Sequence, residues 1–176
     1  IDFMRERAKE LGFELEVVPP VKVEGILVSS SRIRQAIEAG EVKLASQLLG
    51  RHFYVRGLVE RGAGRGRTIG IPTANLRTTA ETLPKRGVYA AFATVRGQRC
   101  KAVVNIGLNP TFVDTANQNL SVEAHLIGFS DDVYGEDLRL EFVDRLRDER
   151  KFSKVEDLIT QIRNDIDNGE KILDGK

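Results

Sequence analysis

Residues 87–95 read GVYAAFATV and residues 100–106 read CKAVVNI, with RGQR at 96–99 between them. Two apolar runs of strand length, bounded and separated by a short glycine-bearing polar stretch, predict two β-strands joined by a turn at 96–99. Tyr89 and Phe92 stand at odd spacing, so they point to opposite faces of their strand and make no aromatic box on their own. Working outward, residues 53–60 (FYVRGLVE) form another bounded strand. Residues 120–127 alternate, with Leu120, Val122, Ala124 and Leu126 on one face and Ser121, Glu123, His125 and Ile127 on the other. Residues 138–142 add a further strand. Five or more short strands with turn signals and no helices between them predict an antiparallel barrel or sandwich.

Helical signals flank this β region. After it, Ser153 and Glu156 have capping-box spacing, Val155, Leu158, Ile159, Ile162 and Ile166 recur at helical spacing, and Gly169 is the predicted stop. Before it, Phe3, Met4, Ala8 and Leu11 make a short helical stripe ended by Gly12, and residues 14–18 predict a strand broken by Pro19 and Pro20. A serine then caps a helix running to Gly40, and a second helix over 41–49 ends at Gly50. The texture changes from α/β to β at Arg51, which divides the chain into residues 1–50 and 51–176.

The 176 residues suffice for a buried core without staples. One cysteine, Cys100, excludes an internal disulfide and favours a reducing, cytoplasmic setting; inside an apolar strand it reads as a small buried side chain rather than a nucleophile. No apolar run reaches the length of a membrane span, so no membrane partner is expected. The net charge of +1 conceals an asymmetry: residues 51–105 carry eleven Lys and Arg against two Asp and Glu, and residues 106–176 carry nine against sixteen. A basic segment of that kind suits a polyanion, and because it holds neither an aromatic-rich strand motif nor a Cys/His finger, a nucleotide is expected rather than nucleic acid.

That basic segment contains Gly62, Gly64, Gly66 and Gly70 within nine residues, interleaved with Arg65 and Arg67 and followed by Pro72-Thr73-Ala74-Asn75. Glycine permits positive φ and close approach of main-chain N–H groups to a ligand, which makes a concave anion site. Thr73 and Asn75 supply oxygen ligands suited to Mg²⁺, and Glu123 supplies a carboxylate able to accept a proton during phosphoryl transfer. His125 shares the polar face of Glu123 and ranks below it, as a positioning or structural residue. The stretch matches neither the Walker P-loop nor the dinucleotide fingerprint. Upstream, Ser29, Ser30 and Ser31 with Arg32 and Arg34 open a helix in a way compatible with phosphate binding or with plain capping. Asp131 and Asp132 read as a turn.

GRGRTIGIPTANL at 64–76, KRGVYA at 85–90, VNIGLNPTF at 104–112, VEAHLI at 122–127 and LRDERKF at 146–152 together resemble, in order and spacing, the riboflavin kinase module over about residues 51–174. VSSSRIR at 28–34 is similar to the late motif of the FMN adenylyltransferase module that precedes this kinase in bacterial bifunctional FAD synthetases. The resemblance implies a six-stranded antiparallel Greek-key barrel with a C-terminal helix, preceded by an α/β remnant of a nucleotidyltransferase domain over residues 1–50. It implies ATP-dependent phosphorylation of the riboflavin 5′-hydroxyl to FMN. Gly62 to Arg67 would be the flap over the nucleotide phosphates, Thr73 and Asn75 the Mg²⁺ and phosphate ligands, and Glu123 the general base. Asn105 and residues 109–112 would lie near flavin or nucleotide, and Arg147 and Arg150 on the flavin side. The His-x-Gly-His type signature of an adenylyltransferase is missing, since the only histidines are His52 and His125. FAD formation is therefore expected to need a longer parent chain. A kinase for another small alcohol, a non-catalytic flavin- or nucleotide-binding module and a basic RNA-binding barrel are the competing readings; oligomeric state is left open.

Overall fold

Six runs between positions 53 and 147 form strands, and in the computed structural model these runs pair side by side until the sheet closes into a barrel with no free edge. The structure describes residues 1–62, 64–108 and 120–175. In chain order the elements are α1 (Asp2–Leu11), a two-strand ribbon of β1 (Lys22–Val23) and β2 (Ile26–Leu27), α2 (Ser30–Ala39), α3 (Val42–Leu49), β3 (Phe53–Glu60), the single turn α4 (Arg65–Thr68), β4 (Ala74–Arg77), β5 (Gly87–Val95), β6 (Gln98–Leu108), β7 (Leu120–Leu126), β8 (Asp137–Arg147) and α5 (Val155–Asp174). The barrel order is β3-β4-β7-β6-β5-β8, all pairs antiparallel. Strands β5, β6 and β7 follow one another and β8 returns beside β5, which is the Greek-key connection.

The alternation decides what is inside. Val55, Leu76, Tyr89, Ala91, Val104, Ile106, Val122, Ala124, Leu138, Leu140 and Phe142 form one buried cluster in the barrel interior, with Tyr89 meeting Phe142 edge to face at 5.5 Å. Phe92 lies on the opposite face, where it packs with Ala90, Val143, Leu146, Ile172 and Leu173 beneath α5. Strand β8 outlasts its predicted end by five residues because it leaves the apolar alternation at Asp144 and Arg145 while still pairing with β5. The β5–β6 turn is tighter than predicted. Arg96 and Gly97 both have positive φ, 51° and 76°, as a two-residue hairpin turn requires, so Gln98 and Arg99 already belong to β6.

At α5 the structure departs from two helix expectations. Gly169 does not stop α5, which continues to Asp174; a Cβ at Gly169 would sit 3.0 Å from Val103 Cγ2 on β6, so glycine there lets the helix press against the barrel. The N-cap is Lys154 without a side-chain capping bond, so the capping box at Ser153 and Glu156 does not form. Residues 14–18 are exposed and form no strand: alternation without an adjoining edge leaves the backbone groups no ladder to join. Ser29 does cap α2, accepting from the Arg32 amide at 3.2 Å.

Helices α2 and α3 sit directly on the barrel. Val42 is 1% exposed and belongs to the barrel's own cluster, Lys43 Nζ pairs with Asp144 at 2.6 Å, and the Lys85 amide donates to the Ile37 carbonyl at 3.3 Å. Gly40, φ 82°, makes the turn between them; a Cβ there would lie 2.8 Å from Arg145 Nε and 3.0 Å from the Tyr89 hydroxyl.

Candidate active site

Strand pairing aligns the chemistry in a single row around the outside of the barrel. Arg147 pairs with Val88, Val88 with Asn105, Asn105 with Glu123, Glu123 with Asn75, and Asn75 with Glu60. Because Val122, Ala124 and Leu126 take the interior positions of β7, Glu123 and His125 point outward with Asn105 of β6 and Asn75 of β4 beside them. Four of the residues singled out in the sequence, from four different strands, thus share one level of one surface.

The glycine stretch lies against that row. A Cβ on Gly62 would overlap the Asn75 amide, with Cγ at 2.5 Å, and one on Gly66 would run into the Ile71 carbonyl and lie 3.3 Å from Thr73 Oγ1. Bare glycine backbone therefore faces both oxygen-bearing side chains. Gly64 and Gly70, φ 69° and 75°, have open space at the Cβ position, so they serve the turning of the chain rather than a close approach. Between them the four-residue turn α4 closes on itself: the Arg67 amide donates to Gly64, those of Ile69 and Ile71 to Gly66, and that of Gly70 to Arg67. Arg67 is exposed. The side chain of Arg65 and residues 109–112 lie outside what the structure describes. His125 Nδ1 meets the Pro72 carbonyl at 2.8 Å, joining β7 to the Pro72-Thr73 segment.

Arg147 and Arg150 turn toward α5. Arg147 grips Asp165 through Nε at 2.9 and 3.1 Å and Nη2 at 2.6 Å, and Asp165 is 3% exposed. Gln161 donates to Asp165 at 2.7 Å and accepts from Arg150, whose guanidinium stacks over Phe152. A cavity of about 510 Å³ opens between this segment and the helix, lined by Arg150, Phe152, Asp157, Thr160, Gln161 and Asn164. Ser29 is engaged as a cap, and Ser30, Ser31, Arg32 and Arg34 are exposed at the start of α2, on a different element from the row.

Near the row the structure adds two charged side chains that the sequence motifs do not single out, Glu149 and Arg145. Glu149 accepts from Arg86 Nε at 3.0 Å and borders Gly107, with Asn105 Nδ2 3.1 Å from where a Cβ of Gly107 would be. Arg145 donates to the Arg86 carbonyl and to Asp148, each at 2.7 Å, and to the Tyr89 hydroxyl at 3.2 Å. Burial pushes the Tyr89 phenol above its ordinary range, and the Cys100 thiol likewise. The one available signal was the density of charge in residues 144–151. The described residues contain no group of three His, Cys, Asp or Glu able to hold a metal without other ligands.

The family profile described as Flavokinase, riboflavin kinase, matches residues 49–173. The chain belongs to the riboflavin kinase family. Among similar proteins, the bifunctional riboflavin kinase/FMN adenylyltransferase of Bacillus subtilis is 42% identical over 139 residues, covering 78% of this chain and 44% of its own length. The chain thus spans about half the length of the curated relatives it matches. Two solved structures extend the comparison. One from Streptococcus pneumoniae, described as a macrolide-efflux protein, superposes with a TM-score of 0.83 at 38% identity over 94% of this chain and 54% of that one. Riboflavin kinase from Trypanosoma brucei superposes with a TM-score of 0.50 at 20% identity, over 69% and 76% of the two chains, and supports the riboflavin kinase barrel as a fold. No helix among the described residues is long and apolar enough to cross a membrane.

Proposed function

We propose that the chain transfers the γ-phosphoryl group of ATP to the 5′-hydroxyl of riboflavin, giving FMN and ADP. The observation that carries this is the row itself: Glu123 stands directly across the ladder from Asn75, whose amide lies against the glycine backbone, inside the segment matched by the riboflavin kinase family. A proton acceptor and a phosphate cradle on neighbouring strands are the two parts that phosphoryl transfer to an alcohol needs.

In this reading the main-chain N–H groups of the glycine stretch and the Arg67 guanidinium hold the nucleotide phosphates and offset their charge. The riboflavin 5′-oxygen forms a bond to the γ-phosphorus as the bond to the β,γ-bridging oxygen breaks, and the hydroxyl proton passes to the Glu123 carboxylate. The neutral oxygens of Thr73 and Asn75 fit Mg²⁺, because both face a cradle that any Cβ on Gly62 or Gly66 would fill. Mg²⁺, when bound, joins nucleotide phosphates to protein through few protein contacts and neutralises charge that develops on them. Asn105 and Glu149, at the end of the row away from Asn75, suit the flavin side, with Arg147 and Arg150 behind them. Residues 1–50 are read as the closing segment of a nucleotidyltransferase domain, joined to a kinase domain over 51–176.

Incubating the chain with riboflavin and MgATP and resolving the flavins by chromatography tests this. FMN is expected; folded protein that makes none overturns the reading. With FMN and MgATP no FAD is expected from this chain, given that neither His52 nor His125 stands in the adenylyltransferase signature.

A further inference from the structure

We propose that His125 is a positioning residue that sets the distance between the phosphate cradle and the strand carrying Glu123. This rests on the phosphotransferase reading above. Within residues 64–71 the backbone bonds run from Arg67 to Gly64, from Ile69 and Ile71 to Gly66 and from Gly70 to Arg67, and β4 enters the ladder only at Ala74. How the cradle sits relative to β7 therefore depends on side-chain ties. Ile71 is buried, 7% exposed, and the tie that reaches β7 is the 2.8 Å contact from His125 Nδ1 to the carbonyl of Pro72, the residue immediately before Thr73. Proline has no N–H to offer, so its carbonyl is the one hydrogen-bonding group through which this residue can be held.

A carbonyl only accepts, so Nδ1 must carry the hydrogen. This fixes the form of His125: in the neutral ring the proton sits on Nδ1 and Nε2 is the unprotonated nitrogen. His125 stands two residues after Glu123 on the same face of β7, across the ladder from Val103, which α5 presses through Gly169. One rigid strand then carries both the proton acceptor and the latch on the cradle, so movement of Pro72-Thr73 away from β7 separates the γ-phosphate position from the base. Tight geometry of this kind is what in-line transfer rewards.

The test combines a spectrum with binding. In ¹⁵N-histidine-labelled chain, His125, assigned by loss of its signals in His125→Asn, is expected to show a protonated Nδ1; a neutral ring protonated on Nε2 instead overturns the proposal. His125→Leu is expected to weaken MgADP binding, measured by calorimetry without riboflavin, roughly three- to tenfold, the worth of one hydrogen bond. It should also raise the KM for MgATP with the KM for riboflavin unchanged. His125→Asn, whose amide nitrogen lies where Nδ1 does, should restore both to within about twofold of the parent. Equal MgADP affinity in folded His125→Leu and parent, or no recovery in His125→Asn, overturns the proposal. If His125→Leu does not fold, the spectrum and the His125→Asn binding still decide it. Absence of FMN from the parent chain would sink the kinase reading, whereas the nitrogen spectrum reads the Pro72 latch whatever the enzyme's substrate.

Discussion

Glu123 and Asn75 are direct partners in the β4–β7 ladder, and Asn105 flanks Glu123 on its other side in the β6–β7 ladder. A carboxylate that is to take a proton is thereby held between two strands whose own outward side chains carry amides. Glu123→Gln keeps the size and polarity of the side chain and removes its capacity as a base. FMN formation is expected to fall by about 10²–10⁴ in kcat, with the circular dichroism spectrum and melting temperature little changed. An unchanged rate would assign the proton to another group.

The glycines separate into two kinds. Gly62→Ala pushes a methyl group into the Asn75 amide, so it should raise the KM for MgATP and lower kcat more than it alters stability. Gly64→Ala meets open space but must hold φ at 69°, which costs about 1–2 kcal/mol wherever the loop keeps that conformation. Steady-state kinetics on the two variants distinguish close approach from chain reversal.

Arg147 and Asp165 stabilise the join of β8 to α5 as a pair. Their side chains are 20% and 5% exposed, so Asp165→Asn strands a largely buried guanidinium. A loss of about 3 kcal/mol in unfolding free energy is expected from urea titration, and Arg147→Met in the same chain should recover part of it. Gln161→Met leaves that ion pair intact and severs the link from Asp165 to Arg150. It should change stability little, and it raises the KM for riboflavin if the 147–152 segment borders the flavin.

Tyr89 predicts alkaline sensitivity. Burial raises its pKa in the folded chain, chiefly by desolvating the phenolate, so above the ordinary tyrosine range the unfolded chain sheds a proton that the folded one retains. Fewer protons on the unfolded state mean that stability falls as pH rises. This stabilisation is fully present below pH ~10, the unfolded tyrosine value, and declines above it until the folded phenol also ionises. Tyr89→Phe should flatten that decline and remove one late-ionising component from the ultraviolet titration, although it also deprives Arg145 Nε of an acceptor.

The barrel strands were legible where side chains alternate between the core and water: β3 and β5 fall at their predicted limits, and β7 ends one residue early. Strand β8 was half hidden because its last residues are charged, and charge there signals partners on another element, Asp165 on α5 and Lys43 on α3. Gly169 misled because a glycine that ends a helix and one that lets a helix approach a sheet look alike in one dimension. The site was legible as a set of residue types but not as a row: Asn75 and Glu123 are far apart in sequence, and their alignment follows from β4 skipping over β5 and β6 to pair with β7. For the same reason the partners of Arg147 and Arg150 could not be read from the local motif.

Gly40 bears on how such proteins can be recombined. The α2–α3 turn passes so close to Arg145 and Tyr89 that no Cβ fits at Gly40, which sets it against the same guanidinium that holds the Arg86 carbonyl and Asp148. A crossover between homologues at residue 51, where the composition changes, would cut through this joint and set the Val42 position of one parent against the barrel core of another. A crossover before Ser30 carries both helices along. The transplantable cassette is therefore larger than the barrel, and chimeras spliced upstream of α2 should accumulate as soluble protein where those spliced at residue 51 do not.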